Sequence, residues 1–162
     1  MQNAMFTRKE AVECTVDGVL RVPEGKTVLD SEFAYFVVRE DLPRVHTLII
    51  PKTVTLIESM RGDMSEGPFG YAGNPFSKII VEEGNKNYKS VDGVLFSKDM
   101  KRLICYPCGK NGEEYTVPDG VEIIEEDAFL NVEKLRKIYG PKTLKTVCDG
   151  AFVGSKILIE PK

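Results

Sequence analysis

Two cysteines separated by two residues, Cys105-Tyr106-Pro107-Cys108, are the arrangement in this sequence best suited to chemistry. A redox pair of this kind is expected to open a helix, where the dipole lowers the thiol pKa. Here the preceding Leu103-Ile104 places the pair at the close of a strand instead. Zinc takes four ligands, and Cys14, Cys148 and His46 complete a set only if folding gathers them from distant positions. His46 is the sole histidine, and no motif supplies the partners that nucleophilic or general-base catalysis requires. Glu122, Glu125, Glu126 and Asp127 lack the alternating Asp/Asn-Gly pattern of calcium loops and read as a solvated face. The reactive side chains thus point to no enzyme, no cofactor and no metal.

The elements that must position these residues are repeats. Pro118, Val121, Ile124, Ala128 and Phe129 recur 23 residues later as Pro141, Leu144, Val147, Ala151 and Phe152. Earlier, Pro51-Lys52-Thr53-Val54 nearly reproduces Pro141-Lys142-Thr143-Leu144, with Ile57 standing where Val147 stands. Val45 and Leu48 precede the first proline as Leu135 and Ile138 precede the second. Ser77-Lys78-Ile79-Ile80-Val81-Glu82 returns as Ser155-Lys156-Ile157-Leu158-Ile159-Glu160. Apolar residues every third position would suit one stripe of a helix, but a proline in each unit and many β-branched residues argue against it. A coil whose short sides each send apolar residues into a shared core fits better. Such a coil cannot bury its apolar side alone, so the units must stack with their short strands in parallel. Phe129 and Phe152 are expected to fill the wide end of each coil, with Ala128 and Ala151 where neighbours come closest.

Another element also recurs. Val16-Asp17-Gly18-Val19-Leu20 returns as Val91-Asp92-Gly93-Val94-Leu95. Alternating runs on either side of Ser97-Lys98-Asp99 predict a β-hairpin, with Asp92-Gly93 as a tight turn or bulge at its start. It is expected to project from the stack of coils.

From residue 85 to 152 the sequence combines Asn-x-x-Tyr, Asp-Gly-Val-Leu-Phe, Leu-Ile-x-Tyr-Pro, Val-Pro-x-Gly-Val-x-x-Ile and Ala-Phe-x(5)-Leu-x-x-Ile. It resembles the BspA-like leucine-rich repeats of bacterial proteins, well from residue 45 to 162 and more loosely before that. The resemblance implies a curved solenoid with parallel strands on one face and a role in adhesion or protein binding. The chain departs from the pattern after Ile57, where Ala-Phe is absent and a glycine-rich stretch runs from Ser59 to Pro75. Either Phe69 or Phe76 takes the missing core position.

The expected architecture is therefore a single leucine-rich-repeat solenoid over 1–162, mainly short parallel strands with turns and short helical segments, plus an inserted hairpin. Residues 1–44 form an N-terminal cap and a first irregular repeat, and 45–84 form repeats with the glycine-rich insertion. Residues 85–114 form the hairpin insertion and 115–162 the regular 23-residue repeats. A chain of 162 residues, 42% hydrophobic and 29% charged, is an ordinary globular composition. The net charge of −3 speaks against nucleic acid, and no stretch approaches the ~20 apolar residues of a membrane helix. Met1 to Glu13 shows no apolar core of a secretion signal, and the four cysteines are too scattered for a disulfide framework.

If Leu48, Ile79, Val81, Ile138, Ile157 and Ile159 point inward, their neighbours point out. The outward set is Thr47, Ile49, Lys78, Ile80, Glu82, Lys137, Tyr139, Lys156, Leu158 and Glu160. Within it Ile49, Ile80, Tyr139 and Leu158 would make one apolar row flanked by charges, the usual mark of a protein contact surface. The alternative reading is self-association through the C-terminal coil, or a fragment of a longer surface adhesin; Cys-based redox or metal chemistry is more remote.

Overall fold

In the computed structural model the described residues are 6, 8–30, 33, 45–58 and 76–162. Helix α1 (Arg8–Glu13) comes first and is followed by Thr15, whose hydroxyl donates to the Ala11 carbonyl at 2.7 Å. Strands follow: β1 (Thr15–Val16), β2 (Val19–Arg21), β3 (Val28–Leu29), β4 (Thr47–Ile50), β5 (Leu56–Ile57), β6 (Lys78–Val81) and β7 (Tyr88–Val91). The remainder are β8 (Val94–Ser97), β9 (Arg102–Cys105), β10 (Glu114–Thr116), β11 (Ile123–Ile124), β12 (Lys137–Gly140), β13 (Thr146–Val147) and β14 (Leu158–Pro161).

Their pairing follows the repeat. In parallel register, Tyr115 lies opposite Ile138, and Ile124 opposite Val147, each 23 residues apart. Among the described residues four sheets result, ordered β1-β2-β4-β6, β3-β5, β10-β12-β14 and β13-β11-β9-β8-β7. Threonine explains why Pro-Lys-Thr recurs. The Thr53 hydroxyl donates to the Lys26 carbonyl and accepts from the Gly25 amide, at 2.9 and 3.2 Å. Thr143 does the same for Val121 and Gly120, at 2.8 and 3.1 Å. Each threonine satisfies backbone groups that a turn would otherwise leave without partners. Asn85, 1% exposed, does this on a larger scale: its Nδ2 donates to the carbonyls of Pro51 and Val54, and its Oδ1 accepts from the amides of Asn87 and Tyr88.

The antiparallel segment has the expected strands on either side of Ser97-Lys98-Asp99 and the expected tight turn at Asp92-Gly93, but it is a three-stranded meander rather than a projecting hairpin. Asp17-Gly18 and Asp92-Gly93 share φ values of about 50° and 76°, the left-handed pair that a two-residue hairpin turn demands. So the second hairpin turns at Asp92-Gly93, joining β7 to β8, and the chain turns again to add β9 as a third antiparallel strand. It does not stand away from the stack, because β9 continues in parallel to β11. Val94, Leu95 and Phe96 are wholly buried. A register shift between Leu95 and Phe96 sets their partners, so Leu95 and Cys105 enter one core while Phe96 and Leu103 enter the other. Strand β8 is a wall between an N-terminal core, holding Leu20, Leu48, Ile79 and Phe76, and a C-terminal core, holding Val121, Ile124, Phe129 and Ile138. Phe76 thus occupies a core position next to the insertion, while Phe69 and residues 59–75 lie outside the described residues.

An aromatic stack runs through the C-terminal core. Tyr106, Phe129 and Phe152 lie at successive intervals of 23 residues, with ring centroids 5.2 Å apart at both steps and interplanar angles of 23° and 20°. Such pairs contribute about 0.5–1.5 kcal/mol each beyond the area they bury.

Candidate functional site

Cys105 is 1% exposed, and the Cys108 thiol donates to the Leu130 carbonyl at 2.9 Å. None of the four cysteines is in a disulfide. Burial, with acidic neighbours, pushes the Cys14 and Cys148 thiols above their usual pKa, the opposite of what a reactive thiolate needs. His46 is exposed, its Nδ1 2.9 Å from the Thr47 hydroxyl. Glu122 bridges Lys145 and Lys101 at 2.7 and 3.1 Å, hydrogen bonds that hold its carboxyl below the usual range. Glu125 pairs with Arg102. Among the described residues no three His, Cys, Asp or Glu side chains gather as metal ligands would. Burial also lifts the Tyr106 hydroxyl to about 12 and raises that of Tyr115, so both are neutral core phenols.

The ten residues expected to face outward fall into two groups. On β4 and β6, Ile49 lies directly opposite Ile80, both half-buried, while Leu48, Ile50 and Ile79 are fully buried beneath. Arg21 of β2, next to Ile49, reaches across to Glu82. Lys78 is exposed opposite Thr47, but Thr47 itself is only 9% exposed. Its short side chain sits mid-sheet between Val19 and Lys78, against the ring of His46, so it offers almost nothing to a partner.

On β12 and β14, Lys137 lies opposite Leu158, and Tyr139 opposite Glu160. Lys137 Nζ pairs with Glu160 Oε1 at 3.1 Å and stands 5.7 Å from the Tyr139 ring centre; the hydrogen bond to Glu160 raises its pKa. Lys156 is exposed just before β14, and Leu158 is 66% exposed. Tyr139 and Leu158 are thus offset along their strands, and they belong to a different sheet from Ile49 and Ile80. The single apolar row is divided because β7, β8 and β9 come between β6 and β10 in the chain and interrupt the parallel ladder.

No protein-family model and no curated protein matches the sequence. Solved structures do match. A leucine-rich repeat protein from Eubacterium ventriosum is 29% identical, with a TM-score of 0.65 over 83% of this chain and 32% of that one. A leucine rich cell surface protein from Faecalibacterium prausnitzii gives 24% identity and 0.60, over 95% of this chain and 44% of that one. The pneumococcal vaccine antigen PcpA gives 22% identity and 0.63, over 88% and 38%. This chain has a leucine-rich-repeat fold. The Eubacterium and Faecalibacterium neighbours are leucine-rich-repeat proteins of the BspA-like bacterial type that the sequence resembles, and this chain spans less than half the length of each of the three.

In leucine-rich-repeat register the C-x-x-C motif has a plain meaning. Cys105-Tyr106 stands 23 residues before Ala128-Phe129, and the Tyr106 amide donates to the Ala128 carbonyl as the Phe129 amide donates to Ala151, at 2.7 and 2.8 Å. Cys105 is the small residue of its repeat and Tyr106 the aromatic one.

Sequence reasoning missed a groove of about 630 Å³ at the interruption of the repeat ladder, lined by Lys78, Ile80, Ser90, Asp92, Lys110 and Asn111 among others. The recurrence of Asp17-Gly18 as Asp92-Gly93 was its available signal. The Gly18 carbonyl accepts from the amides of His46 and Thr47, and the Gly93 carbonyl likewise accepts from Ile79, so each turn abuts a parallel strand.

Proposed function

We propose that this chain is a stretch of leucine-rich-repeat solenoid that binds another protein through its strand face and catalyses no reaction. The observation that supports this most is the Ile49–Ile80 pair, two aliphatic side chains left half-exposed side by side above a fully buried layer. Around them stand the Arg21–Glu82 pair and, on the other sheet, Tyr139 with the Lys137–Glu160 pair. An apolar centre with a charged rim is the ordinary composition of a protein contact. The names of the neighbours, a cell surface protein and a vaccine antigen, favour an adhesin-like setting. In this reading α1 with β1 and β2 forms the cap of the solenoid.

The test is the stability of Ile80→Lys and Tyr139→Lys. Both variants should unfold within about 1 kcal/mol of the parent in denaturant titrations, as substitutions on an open surface do. A loss above about 2 kcal/mol would place these side chains in the core and end the reading. A second reading, self-association, is favoured by one feature: Ile159 is 44% exposed where its partner Ile138 is 0% exposed. Light scattering over a wide concentration range separates the two, since a concentration-dependent dimer would favour the second.

A further inference from the structure

Resting on the strand-face reading, we propose that the groove between β6 and the residues leading into β10 is a docking site for an extended acidic peptide segment of the partner. Its floor is the Asp92-Gly93 turn, so close that a Cβ on Gly93 would meet Lys78 Cγ at 3.1 Å. The backbone of β6 is already engaged there: the Ile79 amide donates to the Gly93 carbonyl at 2.9 Å and the Val81 amide to Ser90 Oγ at 2.9 Å. With those amides satisfied, the groove reads a ligand by side chains rather than by adding a strand.

What it offers is mostly donors. The Lys78 ammonium has no partner among the described residues, and the side chain is exposed. Asn111 Oδ1 accepts from Lys134 at 2.6 Å, leaving its Nδ2 as a donor with no partner among the described residues. Lys110 pairs with Asp92 Oδ2 at 3.1 Å and donates to its backbone carbonyl at 2.7 Å, so these two charges offset each other and Lys78 carries the net positive charge of the groove. On a chain of net charge −3 the Lys78 ammonium, with the Asn111 amide beside it, selects an acceptor, and carboxylate is the match. Beside Lys78 on the same face of β6 stands half-buried Ile80, two residues on, roughly 7 Å away at strand spacing. An extended ligand running along β6 repeats the same interval, so an acidic residue and an apolar residue two apart engage both.

Fluorescence polarisation with labelled peptides tests this. One repeats Glu-Ser-Leu-Ser and the other Lys-Ser-Leu-Ser, titrated with the whole chain. The acidic peptide should bind about tenfold or more tightly than the basic one and weaken with salt. Lys78→Glu should reverse that preference and Lys78→Gln reduce it, whereas Lys142→Glu, an exposed turn residue outside the groove and the strand face, should leave it unchanged. Unaltered melting of each variant shows that folding is not the cause. Equal affinity for both peptides, no binding of either, or insensitivity to Lys78→Gln would overturn the proposal. Binding lost in Tyr139→Lys but kept in Lys78→Glu would overturn the groove while sparing the wider strand face; the stability test of Ile80→Lys and Tyr139→Lys decides that face separately.

Discussion

Cys105 sits at a position that alanine fills in the next two repeats, Ala128 and Ala151, all three buried to 1% exposure or less. Cys105→Ala should therefore change unfolding free energy by only about 1 kcal/mol, a small apolar side chain replacing another. Tyr106→Ala should cost about 3–5 kcal/mol in the same denaturant titration, because it removes the first ring of the aromatic stack. If the cysteine change were the costlier of the two, sulfur chemistry would have to be reconsidered. Phe129 and Phe152 were readable as a pair because their spacing and type agree. Tyr106 stands less plainly beside them in the sequence, because Cys-Tyr replaces Ala-Phe and a second cysteine two residues on makes a C-x-x-C pattern. Thr47 shows the converse limit: strand alternation assigns a side, but the length of neighbouring side chains decides how much of a residue water reaches.

Strand β8 carries the element-scale prediction. Adjacent residues on a strand face opposite ways, and here both ways are core. Leu95→Ala and Phe96→Ala should each cost about 2–5 kcal/mol. Followed by hydrogen exchange, the first should loosen β2, β4 and β6, and the second β11 and β12. Identical exchange patterns in the two variants would mean a single cooperative core and refute the division. The sequence showed that this segment was antiparallel, because alternation and turn residues are local signals. It did not show that β8 would be covered on both sides, because its run of Val94, Leu95 and Phe96 is equally compatible with a protruding hairpin until its neighbours are placed. The same is true of the groove, which exists only through the approach of two segments distant in sequence.

At the scale of the molecule, burial falls toward the last repeat. Ile138 and Ile124 are 0% exposed, but their partners Ile159 and Val147 are 44% and 38% exposed. Nearest-neighbour stacking supplies most of a repeat's stability, so amides after Pro141 should exchange first and those of β11 and β12 among the last. Uniform protection across both would contradict this gradient. The equal steps from Tyr106 to Phe129 to Phe152 carry a genetic consequence. Loss or duplication of any 23 consecutive residues between Tyr106 and Phe152 hands each ring a new neighbour of the same kind at the same place, whereas a shorter or longer change misaligns every later turn. Heritable variation in length is therefore tolerated in whole repeats.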